Sequence, residues 1–332
     1  MDLDAYVAAH QPAWDRLEEL SRRNKLTGAE ADELVELYQR VATHLSVVRA
    51  QAPDPALVSR LTSLVARARS QVTGASAPAW RDMSTFLGQS FPAAVWRSRW
   101  WVVGVAGSFL MVAISLGWWI AAHPHVQTSI ASSEQIRQLV EHDFKDYYSS
   151  HPAGDFAFQV WTNNAWIAAL CITLGGFLGL PVIWLQFQNA VNVAVDGGLM
   201  AAHGKLGLFL GLILPHGLLE LTAVWVAGGV GLRLGWTLID PGPRRRAEAF
   251  AAEGRAAIVV AMGLVLVLFV SGLLEAFVTP SPLPTWARIA IGVFVWGLFI
   301  TWITVYGRRA VRLGHTGDLD PEFREHVLPV AG

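Results

Sequence analysis

The feature that most restricts the fold of this chain is a series of long apolar runs. Residues 100–122, 164–185, 256–278 and 286–306 each cover about the 20 residues that a helix needs to cross a bilayer, and residues 197–236 stay apolar for longer than one crossing requires. The sequence is 53% hydrophobic and 15% charged, with a mean hydropathy of +0.39. Because backbone groups in lipid must be satisfied within the segment, such runs predict helices. The predicted fold class is therefore all-α, a polytopic helical membrane protein.

Basic residues suggest how the 197–236 run crosses the membrane. Clusters of arginine precede the first run, follow residue 243 and follow the last run; their members are Arg97, Arg99, Arg244, Arg245, Arg246, Arg308, Arg309 and Arg312. Basic residues concentrate on the cytoplasmic side, and all three clusters share that side only if 197–236 crosses and returns. Pro215 and Gly217 favour a bend. We therefore predict a broken Pro-His-Gly hairpin turning at residues 214–217, built from two spans or from a re-entrant piece and a span, with both termini cytoplasmic.

Three regions follow from this pattern. Residues 1–95 carry apolar positions at helical spacing and predict a small cytoplasmic helical bundle with a juxtamembrane amphipathic helix. Residues 96–310 form the predicted transmembrane domain of five to six hydrophobic helices, and residues 311–332 a cytoplasmic tail. The net charge of −1 and the absence of a nucleic-acid-binding motif indicate no nucleic acid partner.

A few polar residues inside the apolar runs are the candidate functional residues. His216 and Glu220 lie one helical turn apart, and the predicted topology places Glu275 at a similar depth. Asn163 and Asn164 are expected to form hydrogen bonds between helices. Three roles stay open for His216, Glu220 and Glu275: a structural hydrogen-bonded group, which we favour, an ion or proton pathway, or a three-ligand metal site. The sequence contains no complete catalytic set of a known kind, and no cofactor is expected.

Small residues recur at helical spacing on the same faces as these polar groups. Such faces let helix backbones approach closely in lipid. The residues predicted to pack helices together are Gly175, Gly179, Ala223, Ala227, Gly231 and Gly235.

The segment "LPHGLLELTAVWVAGGVGLRLGW" at residues 214–236 resembles the signature of the stage II sporulation protein M family. The segment "LLEAFVTP" at 273–280 is similar to a later element of that family, and "NNAWIAALCITLGGFLGLP" resembles its Asn-Asn span. The motif positions are Pro215, His216, Gly217, Glu220, Glu275 and Pro280. The resemblance implies a multi-pass protein of the bacterial plasma membrane. It also implies a setting with RDD-family membrane proteins and a MoxR-type ATPase, but no reaction.

These observations lead to one functional expectation and two alternatives. We expect a non-enzymatic scaffold subunit of a cell-envelope complex, in contact with the lipid bilayer, with other membrane or envelope proteins and with further copies of itself. The first alternative is a transporter or channel that uses the buried His/Glu site. The weaker one is a metal-dependent intramembrane hydrolase, with His216, Glu220 and Glu275 as ligands.

Overall fold

The computed structural model describes residues 3–23, 26–51, 54–72, 83–143 and 153–318, and every regular element in those ranges is helical. The chain divides into two compact units, Met1–Met83 and Ser84–Gly332, which we call the N-terminal unit and the membrane unit. The predicted boundary was residue 95, and the structure divides the chain earlier, after Met83. Most of the predicted tail, residues 319–332, lies outside the described residues.

The N-terminal unit is a three-helix bundle of α1 (Leu3–Ser21), α2 (Gly28–Gln51) and α3 (Pro55–Val72). Local sequence sets where the helices begin. The Thr27 backbone N–H donates to Glu30 Oε2 at 2.8 Å, so the Glu30 side chain satisfies an amide at the start of α2. The core consists of apolar side chains at helical spacing, among them Trp14, Leu17, Leu20, Leu34, Leu37, Val41, Val48, Leu61 and Leu64.

A buried histidine interrupts this apolar core. His44 Nδ1 accepts a hydrogen bond from Trp14 Nε1 at 3.1 Å, and the ring of His10 lies 4.0 Å from that of His44, measured between centroids. Burial lowers the pKa of His44 below its usual range, and the nearby charges of His10 and Arg40 lower it further. The neutral imidazole is therefore the form that this core favours.

In the described residues the membrane unit contains ten further helices, some extended by wider π-helical turns. In chain order they are α4 (Phe91–Arg97), α5 (Arg99–Ala122), α6 (Pro124–Ile130), α7 (Ser133–Gln138), α8 (Ala153–Leu174), α9 (Leu180–Ala202), α10 (Leu206–Ile239), α11 (Arg246–Leu273), α12 (Thr285–Trp302) and α13 (Arg308–Arg312). The π-helical turns that matter here are Phe86–Ser90, which precedes α4, Leu274–Val278, which continues α11, and Ile303–Gly307, which joins α12 to α13.

Four helices of the described chain are long and apolar enough to cross a membrane: Arg99–Ala122, Leu206–Ile239, Arg246–Val278 and Thr285–Arg312. The most apolar window of α10 and that of α11 are each 56% buried, against 17% for α5 and α12. The pair α10 and α11 therefore forms the centre of the unit, and α5 and α12 keep most of their apolar side chains on the outside, where lipid can cover them.

The structure corrects the predicted hairpin. The chain does not turn at 214–217, because α10 runs unbroken from Leu206 to Ile239 with Pro215 inside it. It turns earlier, where Gly204 adopts a φ of 71° and the Lys205 N–H donates to the Met200 carbonyl oxygen at 2.8 Å. That hydrogen bond closes a glycine-terminated helix end of the Schellman type. The single backbone hydrogen bond that Pro215 removes does not end a helix that neighbouring helices support on several sides.

A second correction concerns the predicted span at 164–185. This segment is not one helix: α8 ends at Leu174 and α9 begins at Leu180. Between them Leu178 and Gly179 have φ values of 57° and 74°, which reverse the chain. Neither α8 nor α9 is among the four helices that qualify as spans.

The predicted juxtamembrane helix packs against the helices of the membrane unit. Phe91 is fully buried, and a Cβ at Gly263 of α11 would overlap its ring. The Phe91 ring also lies 5.2 Å from that of Trp302. The absence of a side chain at Gly263 thus creates the space in which α4 docks, and Ser84–Arg97 belongs with the membrane helices.

Candidate functional site

The polar residues of the apolar runs meet at one place between α10 and α11. His216 and Glu220 project from α10, and Glu275 comes from the π-helical turn Leu274–Val278. One nitrogen or oxygen of each side chain lies within 4.8 Å of one from each of the others. His216 and Glu275 are each 4% exposed, and Glu220 is half-buried. The structure therefore assembles one buried cluster of a nitrogen and two oxygen donors.

The His216 ring is held by the end of α11. Its Nδ1 lies 3.1 Å from Thr279 Oγ1, and the backbone carbonyl oxygen of His216 accepts from Ser271 Oγ at 3.2 Å. Its Nε2 lies 3.9 Å from Glu275 Oε1, which is longer than a hydrogen bond. The ring is thus oriented by Thr279 and presents its other nitrogen to Glu275.

The two carboxyl groups have different surroundings. Glu220 lies within reach of the side chains of Asn164, on α8, and Ser271. Glu275 Oε2 is buried and has no hydrogen-bond partner in the described part of the chain. A buried polar atom without a partner costs about 1–3 kcal/mol, so Glu275 is where the cluster is least satisfied.

Other predicted site residues take different places. Asn163 is exposed and does not join the cluster. Pro215 instead contacts α12: a Cβ at Gly292 would lie 2.7 Å from Pro215 Cα. Gly217 is a buried position inside α10, and a Cβ there would lie 2.8 Å from Ile213 Cγ2 of the same helix. Pro215 therefore marks a close contact between α10 and α12, and the helix does not bend at Gly217.

The predicted small residues lie where α10 passes the α8–α9 turn. A Cβ at Gly175 would lie 2.8 Å from Gly231 Cα, and one at Gly235 would lie 2.6 Å from the Gly175 carbonyl oxygen and 2.5 Å from Gly179 N. Ala223 and Ala227 are fully buried on the same helix. These approaches hold α8 and α10 close together, which in turn places Asn164 beside Glu220.

Sequence reasoning missed a second polar cluster at the opposite end of α10. Glu253 Oε1 lies 2.9 Å from both Arg97 Nη2 and Arg233 Nη2, and Arg244 approaches it at 3.9 Å. Arg97 and Arg244 were predicted only to mark the cytoplasmic side. Arg233 inside an apolar run was the available signal, because such a charge requires a partner.

The arrangement of His216, Glu220 and Glu275 is compatible with three kinds of chemistry. The side chains can stabilise the contact between α10 and α11, exchange a proton, or bind a cation through one imidazole and two carboxylates.

Comparison with known proteins separates the two units in the same way as the structure does. A domain of unknown function (DUF8413) matches residues 4–74, which cover the three-helix bundle. Neither the curated proteins nor the solved structures give a match. The family described as Stage II sporulation protein M matches residues 106–280, which is more than half of the chain and includes His216, Glu220 and Glu275. The chain therefore belongs to the Stage II sporulation protein M family.

Proposed function

We propose that this protein is a non-enzymatic scaffold subunit of a cell-envelope complex in the bacterial plasma membrane. The observation that carries the proposal is the combination of a family membrane unit with a second unit that has its own core of fully buried side chains and its own family match. A bundle with its own core is suited to binding a partner outside the membrane, while the membrane helices fix its position.

The distribution of arginine supports a cytoplasmic position for the N-terminal unit. Arg97 and Arg233 share Glu253 as a partner, and Gly307 packs against Pro92 and Trp96. The start of α5, the end of α10, the start of α11 and the end of α12 thus lie at one end of the membrane unit. That end holds all three basic clusters of the sequence, which supports a cytoplasmic position for it, because basic residues concentrate on that side.

The partners that fit this proposal are an RDD-family membrane protein and a MoxR-type ATPase, as the family resemblance implies. The ATPase would bind the N-terminal unit, and the membrane protein would bind the exposed apolar faces of α5 or α12. These faces carry large exposed side chains, including Trp100, Met111, Ile114, Trp118, Trp286 and Phe294. Further copies of this chain are the other proposed occupant of such a face.

The test is co-purification from the native membrane in mild detergent, followed by native mass spectrometry. We expect the full chain to be recovered with stoichiometric partners. A chain lacking residues 1–82 should reach the membrane, keep the membrane partner and lose the cytoplasmic one. Recovery of the full chain as a bare 36.2 kDa monomer, with the same result for both chains, would contradict the scaffold role.

The buried cluster supports a second candidate function, transport of a cation or proton. Ionisable residues inside a membrane domain commonly mark such pathways. Flux into proteoliposomes that falls in both Glu220→Gln and Glu275→Gln would support it. An absence of flux in the wild-type protein would leave the scaffold role as the better account.

A further inference from the structure

We propose that His216, Glu220 and Glu275 bind one divalent transition-metal ion, and that their donor set best fits zinc. One imidazole and two carboxylates are common zinc ligands, with metal–ligand distances of about 2.0–2.2 Å. The inference is independent of the scaffold role, since a metal that joins α10 to α11 would stabilise the membrane unit in any function.

Geometry gives the first argument. Two metal–ligand bonds of about 2.1 Å at a tetrahedral angle place their donor atoms about 3.4 Å apart. His216 Nε2 and Glu275 Oε1 are 3.9 Å apart, and the three donor atoms lie within 4.8 Å of one another. The separation of His216 Nε2 and Glu275 Oε1 is longer than a direct hydrogen bond and only about 0.5 Å longer than the spacing of two zinc ligands.

The hydrogen bonds around His216 give the second argument. Thr279 Oγ1 lies 3.4 Å from the Leu274 carbonyl oxygen, to which its hydroxyl donates. When the hydroxyl donates to Leu274, the same oxygen accepts the proton of His216 Nδ1, at 3.1 Å. With the ring proton on Nδ1, the lone pair of Nε2 is directed to the side of Glu275. Metal-binding histidines are oriented in the same way, by a hydrogen bond to the nitrogen that does not bind the metal.

The third argument is the charge of the two carboxylates and the missing hydrogen-bond partner of Glu275 Oε2 in the described structure. Glu275 is 4% exposed and its Oε2 has no hydrogen-bond partner among the described residues. Two carboxylates in one low-dielectric site repel each other and are costly to bury unpaired. A divalent cation would neutralise both charges and complete the coordination of Glu275. A proton shared by the two carboxyl groups would reduce the repulsion without recruiting His216, and this is the competing explanation that the experiment must separate.

The experiment uses the full-length protein, purified in detergent, stripped with a chelator and titrated with zinc ions against a chromophoric competitor. We expect one zinc ion per chain by elemental analysis, and a thermal midpoint that rises when zinc is added. Glu275→Gln should lose the ion, and its thermal midpoint should not respond to zinc. Thr279→Val keeps the size of the side chain and removes the hydroxyl that supports His216, so it should weaken zinc binding by about 10–100-fold.

Two matched variants serve as controls. Glu253→Gln removes a buried carboxylate of the other cluster, and His203→Asn removes a histidine at the end of α9; both should retain one zinc ion. A wild-type chain that holds no zinc after reconstitution, and whose thermal midpoint zinc does not change, would overturn the proposal. Equal zinc content in wild type, Glu275→Gln and Thr279→Val would show an adventitious ion only, and would overturn it as well. If Glu275→Gln does not fold, wild type and Thr279→Val decide the question.

Discussion

Replacement of Gly231 by alanine tests the reasoning about helix packing most directly. Gly231 lies on α10 where that helix passes α8. An added Cβ would overlap the Cys171 carbonyl oxygen, and would lie 3.0 Å from the Cys171 carbonyl carbon and 3.3 Å from Val182 Cγ2. The overlap is with backbone, which cannot rotate aside as a side chain can. The two helices must therefore separate.

The expected cost follows from this overlap. Extra methyl groups forced into a packed core destabilise proteins by about 1–3 kcal/mol. For a unit of this size, 1 kcal/mol corresponds to about 2–4 °C in thermal midpoint. We therefore expect Gly231→Ala to lower the midpoint of the detergent-solubilised protein by about 2–12 °C, measured by size-exclusion chromatography after heating. A second change, Gly175→Ala, breaks the same contact, so the double variant should lose less than the sum of the single changes.

The matched control is Gly207→Ala, at the other end of the same helix. A Cβ at Gly207 would have no heavy atom within 4 Å, and alanine is favoured over glycine in a helix by about 0.5–1 kcal/mol. Gly207→Ala should therefore be at least as stable as wild type. If Gly231→Ala were equally stable, the close approach of α8 and α10 would not exist in the protein.

Three further predictions concern other parts of the chain. Glu253→Ala should destabilise the membrane unit by about 1–3 kcal/mol in thermal-shift measurements, because it leaves the partly buried Arg233 without its carboxylate. In isolated residues 1–74, the pKa of His44 is lower when folded than when unfolded. The free energy of unfolding should therefore be highest above about pH 6.5, the pKa of an unperturbed histidine, and should fall as the pH decreases below it. Urea titrations followed by the fluorescence of the single tryptophan would measure this, and His44→Gln should flatten the pH dependence. Single cysteines at Glu134 and Arg245 test the proposed orientation: an impermeant thiol reagent outside intact cells should label only Glu134→Cys, and Cys171 is too buried to react.

The class of the fold follows from composition and run length, but the positions of the turns do not. The apolar runs predict helices that cross a membrane, because lipid leaves the backbone few other conformations. The prediction placed the turn between residues 197 and 236 at Pro215 and Gly217. The chain turns instead at Gly204 and Lys205. A glycine that ends a helix supplies a left-handed residue and satisfies freed carbonyl oxygens, whereas a proline inside a packed membrane helix removes only one hydrogen bond.

The predicted turn was wrong, but the expectation that His216, Glu220 and Glu275 lie at a similar depth does not depend on where the turn is. Moving the reversal from 214–217 to the region of Gly204 does not change the direction in which residues 217–239 run, so α10 and α11 remain antiparallel neighbours. His216 on α10 and Glu275 after α11 therefore lie at the same end of this helix pair. Ionisable side chains inside a membrane domain tend to pair with one another. The role of Asn164 could not be derived in this way, because it depends on how closely α8 packs against α10.

The packing of α8 against α10 links helix packing to the buried cluster. Gly175 and Gly231 set the distance between α8 and α10, and this distance places Asn164 within reach of Glu220. A variant that separates the helices should therefore disturb the buried cluster without changing any of its residues. If the cluster binds zinc, Gly231→Ala should weaken zinc binding, and Gly207→Ala should not. If zinc binding were the same in both variants while Gly231→Ala lost stability, the cluster would be held by α10 and α11 alone, and Asn164 would be a packing residue rather than part of the site.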